Sequence, residues 1–174
     1  MIDSKLMSKF IKKTLTNLEG RWILIGGTVL PLMGIDHRVT MDIDLVNLDF
    51  KNSNQQVLQL METAESLGLP VETINQAGGY FLSKVKDVEE HLVLWDKSKK
   101  CSIYLPDAFL FIKLKIARLS QSDLEDCLVY SKKNLSALKN QKVIILKMIK
   151  KELKLASEEK KIRINLLLSY FETI

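Results

Sequence analysis

Asp42 and Asp44 stand two apart in the run Met41-Asp-Ile-Asp-Leu-Val46, where apolar and acidic residues alternate. A period of two is the mark of a strand, so both carboxylates project from one face while Ile43 and Leu45 point to the interior. Two like charges held side by side repel, and a divalent cation that prefers oxygen ligands offsets the repulsion. Mg²⁺ is the expected ion. Upstream, Gly26-Gly27-Thr28 closes the apolar run Trp22-Ile-Leu-Ile25. Glycine lets the backbone come close to a ligand, and the unpaired N–H groups of a following helix attract an anion such as a triphosphate. Each feature alone has an ordinary explanation: Asp-x-Asp on a solvated strand edge, and Gly-Gly-Thr as a plain strand-to-helix turn capped by Thr28.

These residues need a scaffold to hold them, and the apolar pattern supplies one. Leu6, Met7, Phe10, Ile11, Leu15 and Leu18 recur at helical spacing over 4–18 and stop at Gly20. Trp22 to Ile25 reads as a buried strand, 28–33 as a helix, 36–40 as a polar loop and 41–46 as the strand of the acid pair. A second amphipathic helix is expected over 54–67, closed by Gly68 and Pro70, followed by strands over 71–74, 80–85, 91–95 and 102–105. Beyond Pro106 no glycine or proline occurs and the apolar period stays helical. Helices are expected over 107–119, 122–134, 138–155 and 158–172, with Pro106 opening the first and Ser122 the second. The fold class is therefore α/β (α+β): a mixed sheet flanked by helices over 1–105, and a C-terminal helical module over 106–174 packed on it.

The composition agrees with a folded domain. In 174 residues, 47% are apolar and 27% charged, which excludes intrinsic disorder and collagen-like order. The net charge is +5, unevenly spread: residues 100–174 carry 15 Lys and Arg against 8 Asp and Glu, whereas 1–99 carry 11 against 13. Lysine-rich helix faces in water account for this; contact with nucleic acid through Lys132-Lys133, Lys150-Lys151 or Lys160-Lys161 is the lesser reading. Cys101 and Cys127 lie far apart without a neighbouring Cys or His at metal-ligand spacing, so neither a zinc site nor a disulfide is indicated. With no continuous apolar span at the start or elsewhere, a cytoplasmic protein with no membrane association is expected.

The sequence of strand, Gly26-Gly27-Thr28, helix and Arg38-x-Thr40-x-Asp42-Ile43-Asp44-Leu45 resembles the minimal nucleotidyltransferase superfamily. It is similar in particular to bacterial nucleotidyltransferases of toxin–antitoxin and abortive-infection systems. Fourteen residues separate Gly27 from Asp42, slightly long for the superfamily and in keeping with these relatives. Leu105-Pro-Asp-Ala-Phe109, Lys115-Ile-Ala-Arg118 and Asp123-Leu-Glu-Asp126 look like the helical segment that follows their sheet, so the resemblance spans roughly 20–135.

The resemblance implies transfer of a nucleoside monophosphate from a nucleoside triphosphate to a protein or RNA acceptor, with a toxin or antitoxin as partner. It implies that Gly26, Gly27 and Thr28 bind phosphates, that Asp42 and Asp44 hold the metal, and that Lys115, Arg118, Asp123 and Asp126 border the cleft. Arg38 or Lys115 would steady the leaving pyrophosphate, the alternative for each being a surface charge or a structural partner of Asp44 or Asp126. Active members commonly take a third carboxylate from a later strand; Asp96 is the first candidate here, with Glu90 and Asp87 behind it. The alternative is a protein that keeps this fold and binds a partner or nucleic acid without turnover.

Overall fold

A computed structural model of the chain describes residues 2–49 and 54–174. The chain divides into two compact units, Met1–Pro106 and Asp107–Ile174. The first is a mixed α+β unit. Asp3 caps its opening helix α1 (Ser4–Asn17), accepting a hydrogen bond from the Leu6 amide at 2.7 Å, and Met7, Phe10, Ile11, Thr14 and Leu15 form its buried face. Strand β1 (Gly20–Ile25) follows, then a 3₁₀ turn over Gly26–Thr28 and the one-turn helix α2 (Val29–Leu32).

Four strands make one mixed sheet in the order β2-β1-β4-β3, with β2 spanning Asp44–Asn47, β3 Leu92–Lys97 and β4 Cys101–Pro106. β1 runs antiparallel to β2 and parallel to β4, while β3 and β4 form an antiparallel pair. Trp22, Ile23 and Leu24 are wholly buried, as a central strand covered on both faces requires. Helix α3 (Asn54–Glu65) and the short α4 (Gly78–Leu82) complete this unit.

Two expected strands are not strands. After Pro70, whose ring fixes φ, Val71–Thr73 makes a 3₁₀ turn, and only Ile74 meets an extended neighbour, in a single parallel bridge to Ile43. The segment 80–85 belongs to α4 and the turn after it. Gly78 explains the difference, because a Cβ there would stand 2.6 Å from Ile25 Cδ1 and 3.5 Å from Val46 Cγ2. The bare backbone therefore seats a helix directly on the sheet. A short apolar run such as Tyr80-Phe81-Leu82 has no period that separates strand from helix.

Four helices build the second unit: α5 (Ala108–Ile116), α6 (Gln121–Lys133), α7 (Leu135–Leu155) and α8 (Glu158–Thr173). Their caps differ by a residue or two from the expected ones. Asp107, not Pro106, caps α5 by accepting from the Leu110 amide at 2.8 Å, and Ser120, not Ser122, forms a capping box with Asp123. Helix α7 starts at Leu135 rather than Leu138. Gln141 of α7 fastens the start of α5, accepting from the Phe109 amide at 3.0 Å and donating to Asp107 Oδ2 at 2.5 Å. Phe111 and Tyr130 stack with centroids 4.2 Å apart. Cys101 and Cys127 are buried free thiols.

Candidate active site

The site is built where β1 ends. Ile25 pairs with Asp44 across the antiparallel ladder, so the two side chains stand on the same face of the sheet. The alternation read from the sequence holds beyond the strand's formal start: Ile43 and Leu45 are wholly buried, Asp44 is half-buried and Asp42 is exposed. The segment 73–75 supports this register from outside, with the Ile43 amide donating to Thr73 O at 2.7 Å and the Asn75 amide donating to Ile43 O at 3.0 Å. Gln76 Nε2 donates to Leu45 O at 2.9 Å. Both acids thus alternate with the buried Ile43 and Leu45, on a segment held extended by backbone bonds.

Gly26 turns back against this face with φ +75°, a conformation that glycine adopts without penalty. A Cβ at Gly26 would overlap Asp44 Oδ2 and stand 3.0 Å from its Cγ. A Cβ at Gly27 would stand 2.9 Å from Arg38 Nη2 and 3.3 Å from Thr40 Oγ1. The loop after α2 therefore folds back over the turn, and the two glycines have a carboxylate on one side and a guanidinium on the other. Thr28 is buried and donates its hydroxyl proton to Ile25 O at 3.3 Å, which ties the turn to the end of β1. Gly26, Gly27, Thr28, Arg38 and Asp44 come together as the motif implies. Thr40 joins them; its only mark in the sequence is its place in the middle of the Arg-x-Thr-x-Asp segment.

Helix α4 lies on the same face. Gly78 packs on Ile25 and Val46, the neighbours of Asp44 across and along the strands, and Gly79 approaches Val46 Cγ1 at 3.5 Å. Tyr80 and Phe81 are left 62% and 49% exposed, their rings edge to face at 5.5 Å, with Lys84 Nζ 3.9 Å from the Tyr80 centroid. No sequence signal marks this pair, since an apolar run of this length reads as a strand.

Asp96 is not brought to the acid pair. It lies on β3, opposite Ile103, which pairs with Trp22, which in turn pairs with Asn47. Three strand spacings of about 4.8 Å and three residues of about 3.3 Å separate it from Asp44. Its Oδ1 accepts from the adjacent Lys97 amide at 2.8 Å, the ordinary role of an acid in a turn or strand end. Among the described residues, no group of three or more His, Cys, Asp and Glu side chains converges.

Lys115 and Arg118 have partners within the helical unit. Lys115, 7% exposed, sets its ammonium 2.5 Å from Asp126 Oδ2 and 3.2 Å from Asp123 Oδ1. Arg118 grips Asp123 with two hydrogen bonds of 2.8 and 3.0 Å, and Ser120 adds its hydroxyl and amide at 2.8 and 3.1 Å. Burial alone would raise the Asp123 pKa, but the Arg118 bonds, the Lys115 charge and the Ser120 bonds outweigh it and hold the carboxyl well below the usual range. Of the two roles expected for Lys115, the structure shows the pairing with Asp126.

Asp42 and Asp44 carry hard oxygen donors of the kind that suit Mg²⁺, and Asp44 and Arg38 close in on the glycine turn from either side. No helix among the described residues is long and apolar enough to cross a membrane. No curated protein and no solved structure matches the chain. A family model described as a nucleotidyltransferase of unknown function (DUF6036) matches residues 3–174. The chain belongs to that nucleotidyltransferase family.

Proposed function

We propose that the protein is a metal-dependent nucleotidyltransferase that moves a nucleoside monophosphate from a nucleoside triphosphate to a hydroxyl on a protein or RNA. The observation that carries this reading is the glycine turn flanked by Asp44 at Gly26 and by Arg38 at Gly27. An oxygen nucleophile attacks the α-phosphorus, the bond to the β-phosphate oxygen breaks, pyrophosphate leaves and the hydroxyl proton passes to solvent. Asp42 and Asp44 would hold Mg²⁺, which when bound neutralises phosphate charge and lowers the pKa of the attacking hydroxyl. Gly26 and Gly27 let the phosphate chain approach the backbone, and Arg38 draws the leaving pyrophosphate by charge. Tyr80 and Phe81 present ring surface on the same face for the base, with Lys84 adding positive charge. The resemblance of the Gly-Gly-Thr and Arg-x-Thr-x-Asp-Ile-Asp segments supports a toxin–antitoxin or phage-defence pair as the setting.

A second reading, a protein of this fold that binds without turnover, is favoured by the position of Asp96 on the far edge strand. The test is incubation with α-labelled triphosphates, Mg²⁺ and candidate RNA and protein acceptors. Transfer that is lost in Asp42→Ala and Asp44→Ala supports the enzyme. Triphosphate binding with no transfer to any acceptor supports the second reading.

A further inference from the structure

The exposed face of α1 carries charge that the site does not use. Lys5, Lys9 and Lys12 fall four and three residues apart on one side of the helix, with Lys13 beside them, opposite the buried Met7, Phe10, Ile11, Thr14 and Leu15. No acid occurs between Ser4 and Asn17, and the first turn, where acids complement the helix dipole, holds Lys5. Lysines on a helix face in water are commonly relieved by acids three or four residues away. Helix α8 shows this, with Lys161 on Glu158 and Arg163 on Glu159. On α1, Lys13 donates to Ser66 Oγ at 2.8 Å, and among the described residues Lys5, Lys9 and Lys12 have no carboxylate partner. Like charges a turn apart repel, and a polyanion laid along the face offsets the repulsion.

The rest of the face selects the partner. Its other exposed residues are Ser8, Thr16 and Asn17, and no apolar side chain of α1 is exposed, so a membrane would find nothing to take up. Lysine and serine are depleted at protein–protein interfaces, which centre on aromatic and apolar side chains. Lysine with serine, threonine and asparagine is instead the set that meets phosphate and sugar oxygens. The helix also starts at the site. The Ile2 amide donates to Thr40 O at 3.4 Å and Ser4 Oγ to Asp36 Oδ1 at 2.8 Å, on the loop that brings Arg38 and Thr40 to the glycine turn. Lys5 follows Ser4 directly, and Lys12 stands about 10 Å further along the axis.

We infer that this face of α1 holds the phosphate backbone of an RNA strand whose terminal hydroxyl is the acceptor at Asp42 and Asp44. The inference rests on the nucleotidyl-transfer reading and selects RNA from its two acceptor classes.

Fluorescence anisotropy of a labelled single-stranded RNA of mixed sequence, without Mg²⁺ or nucleotide, tests the surface apart from the chemistry. Wild-type affinity should fall as salt rises from about 50 to 200 mM, each lysine on a phosphate adding about 0.7 to the slope of log affinity against log salt. Lys5→Gln, Lys9→Gln and Lys12→Gln together should flatten that slope by about 2 and weaken binding roughly tenfold or more. Unfolding curves that match the wild type show that the triple variant is folded. Lys147→Gln, Lys151→Gln and Lys154→Gln remove the same charge from exposed positions of α7 and should leave slope and affinity near the wild-type values. Absence of RNA binding overturns the inference, as does an α1 variant that binds like the wild type or an α7 variant that weakens binding as much. Transfer from an α-labelled triphosphate with Mg²⁺ then separates the two claims. Label on the RNA, reduced in the α1 variant, supports the inference. Label on a protein and none on RNA overturns it and leaves the reading of the site standing. RNA held along α1 with no transfer to any acceptor removes the nucleotidyl-transfer reading and the acceptor role with it.

Discussion

The carboxylate of Asp44 fills the space where a side chain at Gly26 would begin. The two residues depend on each other: the turn takes its left-handed φ because nothing projects from it, and the carboxylate faces the turn because Ile25 and Asp44 pair across the ladder.

Gly26→Ala tests this dependence. The substitution meets both a φ of +75° and an overlap with Asp44 Oδ2. It should cost about 1–3 kcal/mol of stability, the range for a non-glycine residue forced into such backbone. Thermal unfolding reads that loss, and triphosphate affinity should fall along with it. A variant as stable as the wild type would show that the turn tolerates a side chain.

Asp42→Asn should separate stability from chemistry. The side chain is exposed, so its replacement should change the unfolding free energy by less than about 0.5 kcal/mol. Mg²⁺ binding and nucleotidyl transfer should nevertheless be lost. Unfolding curves that coincide with the wild type, set beside a silent transfer assay, are the expected result.

Lys115→Met should destabilise the helical unit rather than weaken nucleotide binding. It removes the ammonium that Asp126 and Asp123 share, Asp123 keeping only the Arg118 charge, and breaking a buried ion pair in this way costs about 3–5 kcal/mol. Denaturant unfolding would reveal it. A drop in triphosphate affinity with unchanged stability would instead return Lys115 to the phosphate.

The same network sets an acid limit. The pKa of Asp123 is depressed in the folded state, so its contribution is fully present above the unfolded-state value of about 3.9. That contribution drains away as the pH falls from there toward the depressed folded value. Wild-type stability should therefore decline on acidification below that point, and Asp123→Asn should show a shallower decline from a lower starting stability. Melting temperatures measured from neutral to acidic pH check both.

Phe81→Ala and Tyr80→Ala should weaken nucleotide binding if the base lies on their rings. Loss of one stacking surface is worth about 1–3 kcal/mol, roughly 5- to 150-fold in affinity. Because both rings are exposed, stability should hold. Equal affinities in wild type and both variants would remove α4 from the nucleotide site.

Much of this arrangement is legible in the residues. The alternation at Ile43 and Leu45 foretells that these two side chains are buried, because successive strand residues point to opposite faces. Gly26-Gly27 foretells a turn at the end of β1 for the same local reason. Asp96 shows where such reading ends: strand order and register decide whether a carboxylate three strands away joins a site, and neither is written in a six-residue run. Lys115 shows another limit: a pairing with Asp126 is one of its two readings, and a basic residue looks the same in sequence on a phosphate or in an ion pair. The strand expected over 80–85 fails because Gly78 acts through what it packs on, Ile25 and Val46, which are distant in the chain.

Calorimetric titration of a non-hydrolysable nucleoside triphosphate, with and without Mg²⁺, bears most directly on the site at Gly26 and Asp44. Binding should require Mg²⁺ in the wild type and vanish in Asp44→Asn while the protein stays folded. Binding that ignores Mg²⁺, or that survives Asp44→Asn unchanged, would contradict the assignment of these residues.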